Sequence, residues 1–265
     1  MKITVINLER SDDRRREISS HLGSLGLDFV VHRAVDGMDF PQEYEALVDW
    51  RGSRRDGIYV HMGSVANWIS QRQVFQNMVE NGPDVMAVLE DDAIPTEQFP
   101  SVLATLEGMS EHFDIVFLHF GPDRPFIMVR ELPTGHQLGW LRWSHFGTQG
   151  YVITRRAAET FLSHYPLVRT GIDRALASYW RHGLRTFCIR PPVIHHAEHF
   201  QHENSLKWQA PVVRWQDPLW RLRRGWFRTK EGMAKRIVCS RLVMDAYGPV
   251  AGLRRLMLPG WRLPS

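Results

Sequence analysis

Along the first 200 residues, short apolar runs alternate with longer stretches in which apolar residues recur at helical spacing. Residues 3–8 (Ile-Thr-Val-Ile-Asn-Leu) read as a buried strand. Ser11 with Asp12 and Asp13 then supplies a helix start, and Gly23 or Gly26 supplies its stop. Residues 29–34 form a second strand that ends at Asp36-Gly37, and a long helix is expected from about Gly63 to Asn81. The run Val85-Met86-Ala87-Val88-Leu89 is a third strand, residues 114–118 a fourth, and residues 151–153 lead into a helix over about 155–163. Residues 186–189 make a late strand, stopped by Pro191-Pro192. This alternation predicts an α/β fold with a mostly parallel sheet flanked by helices on both faces.

Composition narrows the class. At 265 residues, 43% hydrophobic and 23% charged, the chain can bury a sizeable core. Cys188 and Cys239 are too few for a disulfide framework or a four-cysteine zinc site. The first apolar run is too short for a secretory signal, and no run of roughly 18 apolar residues is present to span a bilayer. The sequence therefore reads as soluble and cytoplasmic. Its net charge of +4 conceals an asymmetry: residues 211–265 carry 12 basic against three acidic residues, while the remainder is slightly acidic. Two parts are expected, a nucleotide-binding domain over residues 1–210 and a basic, Trp-rich helical tail over 211–265.

In open α/β sheets, ligands bind beyond the carboxyl ends of the strands. Three such ends carry polar chemistry: Asn7 to Arg10, Asp36-Gly37, and Glu90-Asp91-Asp92. Three adjacent carboxylates raise one another's pKa unless donors or a cation compensate. A divalent ion, Mn²⁺ or Mg²⁺, shared with substrate phosphates is the simplest compensation and needs only one or two protein carboxylates. In extended backbone Glu90 and Asp92 point to one side and Asp91 to the other. A solvated acidic loop is the plain alternative, and the motif alone also suits a phosphohydrolase or a nucleotidyltransferase.

The ordered set of segments decides among these. Val5-Ile6-Asn7-Leu8 with Arg10-Ser11-Asp12-Asp13-Arg14-Arg15, Ala34-Val35-Asp36-Gly37, and Leu89-Glu90-Asp91-Asp92-Ala93 resemble successive blocks of glycosyltransferase family 25. So do Gly150 to Ala158, Gly171-Ile172-Asp173, and Pro191-Pro192-Val193 through Asn204-Ser205. The chain departs from the family where a Ser-His pair usually opens the long helix. Gly63-Ser64 stands there, with His61 about one turn earlier and Trp68 kept.

The resemblance implies a GT-A-like fold and an inverting transfer of galactose or glucose from a UDP-sugar. The acceptor it implies is a lipid-linked oligosaccharide of the lipopolysaccharide or lipooligosaccharide core. Inversion needs a general base, for which Asp173 is the candidate; a helix cap is its structural alternative. Asn7, Leu8, Arg10 and Arg14 are candidates for uridine and phosphate contacts, Ala34, Asp36 and Gly37 for ribose or uracil. Glu90 and Asp91 are assigned to the donor, and Asp92, Glu90 and His196 to the metal. His195, His199 and His202 are read as surface, while His145 and Gln149 are placed near the acceptor. The tail interleaves Arg with Trp, which suits an anionic membrane surface. A packed helical subdomain is the second reading, and nucleic acid is not expected. A phosphoryl or nucleotidyl transferase and a catalytically inactive relative remain as alternatives.

Overall fold

The computed structural model describes residues 1–40, 42–58, 60–119, 126–141, 147–197 and 219–257. His145, His199, His202, Asn204-Ser205, Trp208, Trp215 and Trp261 lie outside these residues.

The chain begins with β1 (Lys2–Asn7), α1 (Asp12–Ser24) and β2 (Val30–Arg33), then α2 (Trp50–Arg55) and the long α3 (Met62–Asn81). It continues through β3 (Val85–Glu90), β4 (Ala93–Pro95), α4 (Phe99–Gly108) and β5 (Ile115–Phe117). A hairpin of β6 (Phe126–Glu131) and β7 (Gln137–Leu141) precedes β8 (Gly150–Thr154) and α5 (Arg155–His164). Next come the short α6 (Ile172–Leu176) and α7 (Tyr179–His182), then β9 (Thr186–Arg190) and β10 (Ile194–His196). The described chain closes with α8 (Trp220–Tyr247) and α9 (Pro249–Met257).

Among the described residues, eight strands form one sheet in the order β2-β1-β3-β8-β5-β9-β7-β6. β1 runs parallel to β2 and β3, and β5 parallel to β9, whereas β8 and β7 run against their neighbours. Six of the eight strands thus share one direction, as expected, although the two reversed strands make most of the pairings antiparallel. A second, two-stranded sheet pairs β10 with β4 and sets His196 opposite Ala93, directly after the acidic turn.

Alternation along the strands feeds two apolar layers. Met86 and Val88 of β3 face one layer, with Tyr151, Ile153, Ile115 and Phe117, against α3, α5 and α6. Val85, Ala87 and Leu89 face the other, against Ile18 and Leu22 of α1 and Phe99, Val102 and Leu106 of α4. Aromatic packing locks α3 to α5: the Phe161 ring lies 5.5 Å from Trp68 and 5.4 Å from Phe75. At the head of β8, a Cβ on Gly150 would stand 2.2 Å from the tip of the Ile194 side chain, so a larger residue there would have to displace it.

Helix α8 joins this core through one face. Cys239 and Val243 are buried in the second layer, and Lys235 lies under Trp180 with its ammonium 4.9 Å from the ring centroid. Trp220 donates its indole N–H to the Gly57 carbonyl at 3.1 Å, and Glu231 accepts from Trp180 at 3.0 Å and Arg181 at 2.7 Å. Among the described residues, no helix is long and apolar enough to cross a membrane.

Candidate functional site

The carboxyl ends of β1, β2 and β3 converge on a cleft of about 650 Å³. Leu8, Arg10, Arg14, Ala34, Asp36, Gly37, Glu90, Asp91 and Asp92 all line it, and α3 adds Gly63, Ala66, Asn67 and Ser70. Asn7 is buried one step behind the wall. Its Nδ2 donates to Asp91 Oδ2 at 2.8 Å and to the Ser11 carbonyl at 3.1 Å, tying β1 to the acidic turn. Arg14 reaches Asp91 Oδ1 at 3.3 Å, while Arg10 pairs with Asp36.

The loop after β2 is held by backbone. The Ala34 N–H bonds the Asn7 carbonyl at 2.9 Å, and the Val35 N–H donates to Ser70 Oγ at 2.8 Å. Asp36 Oδ1 accepts from the Met38 N–H at 2.9 Å, the turn its sequence suggested. A Cβ on Gly37 would stand 2.9 Å from the Gly63 Cα, so the loop and the start of α3 approach at a distance only glycine permits. Gly63, where the family's Ser-His pair would begin, therefore serves as a contact surface. His61 precedes α3 as its N-cap residue, and its Nδ1 lies 3.1 Å from Ser64 Oγ.

The three carboxylates separate into three environments. Asp91 turns to Asn7 and Arg14; burial raises its pKa, and those two partners oppose the rise. Glu90 accepts from Asn67 Nδ2 at 3.1 Å and from the Thr148 hydroxyl. Removal from water, then the charge of Asp92, pushes its pKa from 4.5 up to about 7. Asp92 Oδ2 meets His196 Nε2 at 3.1 Å, a contact that raises the imidazole pKa. Asp92 Oδ1 and His196 Nδ1 are both buried and have no hydrogen-bond partner among the described residues. His195, next along β10, is exposed.

Among the described residues, no group of three His, Cys, Asp or Glu side chains could hold a metal ion by itself. The orphaned Asp92 oxygen fits a cation shared with a ligand diphosphate, and the set does not fit a closed protein cage.

Three participants escape the sequence pattern. Asn67 and Thr148 are the donors to Glu90, and His119, at the end of β5, donates to the Ile194 carbonyl at 3.0 Å. Burial lowers the His119 pKa, and it feels the charges of His196 and Asp92. A readable signal existed for Asn67: with Gly63, Ser70 and Gln71 it makes a polar line at helical spacing along a buried helix. The network continues inward, since Gln71 Nε2 donates to Asn67 Oδ1 at 3.4 Å and Gln71 Oε1 accepts from the buried Tyr151 hydroxyl. Asp173 stands in the first turn of α6, after Gly171 at the cap position, and lies outside the lining of this cleft. Gln149 gives its carbonyl to the Glu90 N–H at 3.0 Å, the ladder bond that sets the turn.

The profile of glycosyltransferase family 25 (LPS biosynthesis protein) matches residues 1–176. The lacto-N-neotetraose biosynthesis glycosyltransferase LgtB of Neisseria gonorrhoeae is 25% identical over 182 residues, covering 63% of this chain and 62% of that protein. Procollagen galactosyltransferase 1-A of Xenopus laevis is 26% identical over 184 residues, covering 63% of this chain and 29% of that protein. The match therefore spans about three fifths of the Neisseria relative and less than a third of the Xenopus one. Among solved structures, a mutant Drosophila β1,4-galactosyltransferase 7 with manganese, UDP-Gal and xylobiose is 11% identical at a TM-score of 0.40, covering 77% of this chain and 73% of that one. That likeness is too slight to weigh in the assignment. The family profile, covering 176 of 265 residues in the order in which the cleft is built, does weigh, and the chain belongs to glycosyltransferase family 25.

Proposed function

We propose that this protein is a metal-dependent, inverting hexosyltransferase. In this reading it moves galactose or glucose from a UDP-sugar to a lipid-linked oligosaccharide, of the lipopolysaccharide or lipooligosaccharide core type, at the cytoplasmic face of an anionic membrane. The observation that carries the reading is the convergence of three strand ends on one cleft lined by Asp92, whose buried Oδ1 has no hydrogen-bond partner among the described residues. The Neisseria and Xenopus relatives, named as a glycan-building glycosyltransferase and a galactosyltransferase, support the donor class.

Within the cleft the work divides by position. Leu8, Ala34, Asp36 and Gly37 form the wall for uridine and ribose. Arg10 and Arg14 supply positive charge toward the diphosphate. Asp92, with His196 and Glu90 beside it, would hold Mn²⁺ or Mg²⁺, which neutralises charge growing on the departing UDP. Asp91 is taken up by Asn7 and Arg14 and so positions the turn. Asp173 is proposed as the base, accepting the acceptor hydroxyl proton as the new bond forms. Its place on α6, which packs against α3, requires the acceptor to enter from the α6 side.

A thermal-shift titration tests the reading. UDP is expected to stabilise the protein only with Mn²⁺ present, and more than ATP or GTP does. Preference for a nucleoside triphosphate would point instead to phosphoryl or nucleotidyl transfer. Indifference to every nucleotide would identify an inactive relative.

A further inference from the structure

Helix α8 is apolar on two opposite faces, and among the described residues its contacts with the core use one of them. Phe227, Lys235, Cys239 and Val243 turn inward. Leu222, Trp226, Met233 and Ile237 turn outward and are 72%, 68%, 50% and 70% exposed. At roughly 100° per residue these four fall within an arc of about 60°, a stripe about 22 Å long. A single exposed leucine needs no explanation, but four large apolar side chains in one line mark an interaction surface.

Charge identifies the partner. From 219 to 257 the chain carries ten basic and two acidic residues. Glu231 is turned inward to Trp180 and Arg181, which leaves Asp245 as the acidic group of the outer side. Exposed Lys230 and Arg241 flank the stripe along one edge and Arg236 along the other. On α9, Val250 and Leu253 are also exposed, beside Arg254. An apolar line with cationic margins, on a helix too polar to cross a bilayer, fits a helix lying in the plane of an anionic lipid surface.

We infer that the outward stripe Leu222-Trp226-Met233-Ile237 docks the protein onto anionic lipid, with α8 parallel to the membrane and its inner face still packed on the catalytic core. As the place where a lipid-linked acceptor is met, this surface rests on the transferase reading; the binding itself does not.

Because α8 completes the core, the test uses point variants of the full chain. In vesicle flotation, the wild type is expected to rise with phosphatidylglycerol-containing vesicles, to be released partly by high salt, and to ignore pure phosphatidylcholine. Trp226→Ser/Ile237→Ser, both solvent-facing, should lower apparent vesicle affinity roughly tenfold or more, from the apolar area withdrawn from the lipid. Its circular dichroism and melting should stay at wild-type values. Lys230→Glu/Arg236→Glu should remove the salt-sensitive part. Full-length protein that fails to float, or a double serine variant that floats like wild type, overturns the inference. So does a wild-type dimer in sedimentation that the serine variant abolishes without any vesicle binding, since a second copy then covers the stripe. The UDP and Mn²⁺ thermal shift, measured on the same variants, should remain unchanged and reports separately on the transferase reading.

Discussion

Glu90 combines a place in the cleft with a cost to the fold, and the two can be measured apart. Its carboxyl is held between Asn67 and Thr148, withdrawn from water beside Asp92, with a pKa raised from 4.5 to about 7. Between those values the folded state binds more protons than the unfolded one. The stability contributed by the neutral carboxyl is therefore fully present below pH 4.5 and is lost as pH rises through about 7. The interval corresponds to at most about 3 kcal/mol. Part of the side chain reaches solvent, which brings the expected effect to about 2 kcal/mol. Glu90→Gln keeps an oxygen for Asn67 and Thr148 and deletes the charge. In urea denaturation with a chelator present, the variant should match wild type near about pH 5 and exceed it by about 2 kcal/mol near about pH 8. The same variant should lose much of its Mn²⁺-dependent UDP affinity, since the charge that weakens the apo fold is the one the cation needs. An equal stability difference at both pH values, or a variant less stable than wild type at the higher one, would refute the reasoning.

Other outcomes follow from single residues. Asp92→Ala should abolish transfer and metal-dependent UDP binding while the melting profile stays cooperative; retained Mn²⁺-dependent binding by calorimetry removes Asp92 from the metal. Asp173→Asn should keep UDP-sugar affinity near wild type and slow turnover roughly a hundredfold or more; collapse of donor affinity instead would make Asp173 a binding residue. His182, buried, donates from Nε2 to the Leu176 carbonyl and accepts the Leu184 N–H at Nδ1, each at 3.1 Å. Burial lowers its pKa from 6.5 to about 4, so its contribution is present above pH 6.5 and is lost as pH falls toward 4, by up to about 3 kcal/mol. His182→Gln should flatten that acid limb in a pH series of melting temperatures, and an unchanged slope rules the group out.

The strands are legible where they are buried on both faces, since β1, β3 and β9 are buried along nearly their whole length and rich in apolar residues. Direction is not: nothing in Gly150 to Thr154 tells that β8 enters against β3 and β5, because pairing is settled across the sheet. The β6–β7 hairpin and the small β10–β4 sheet also went unread, being short or mixed in polarity. For the site, sequence order exposed the residues that follow strands, and the cleft gathers them. It could not supply the partners of Glu90, which arrive from 23 and 58 positions away. The register of β10 with Ala93 brings His196, the histidine assigned with Asp92 from the sequence, to that carboxylate.

The line from Tyr151 through Gln71 and Asn67 to Glu90 has a sense of direction. A phenol hydroxyl aimed at Gln71 Oε1 leaves Gln71 its NH₂ for Asn67, and the Asn67 oxygen, once taken, turns the Asn67 NH₂ outward to Glu90. Each amide is thus oriented by the one behind it, and the first in line sits in the middle of the core. Replacing that hydroxyl with hydrogen, as in Tyr151→Phe, leaves the ring packing in place and removes the donor that orients Gln71. The Asn67 NH₂ is then held in its direction by the Glu90 end of the line. A core substitution that contributes almost nothing to shape can in this way loosen the amide that donates to Glu90.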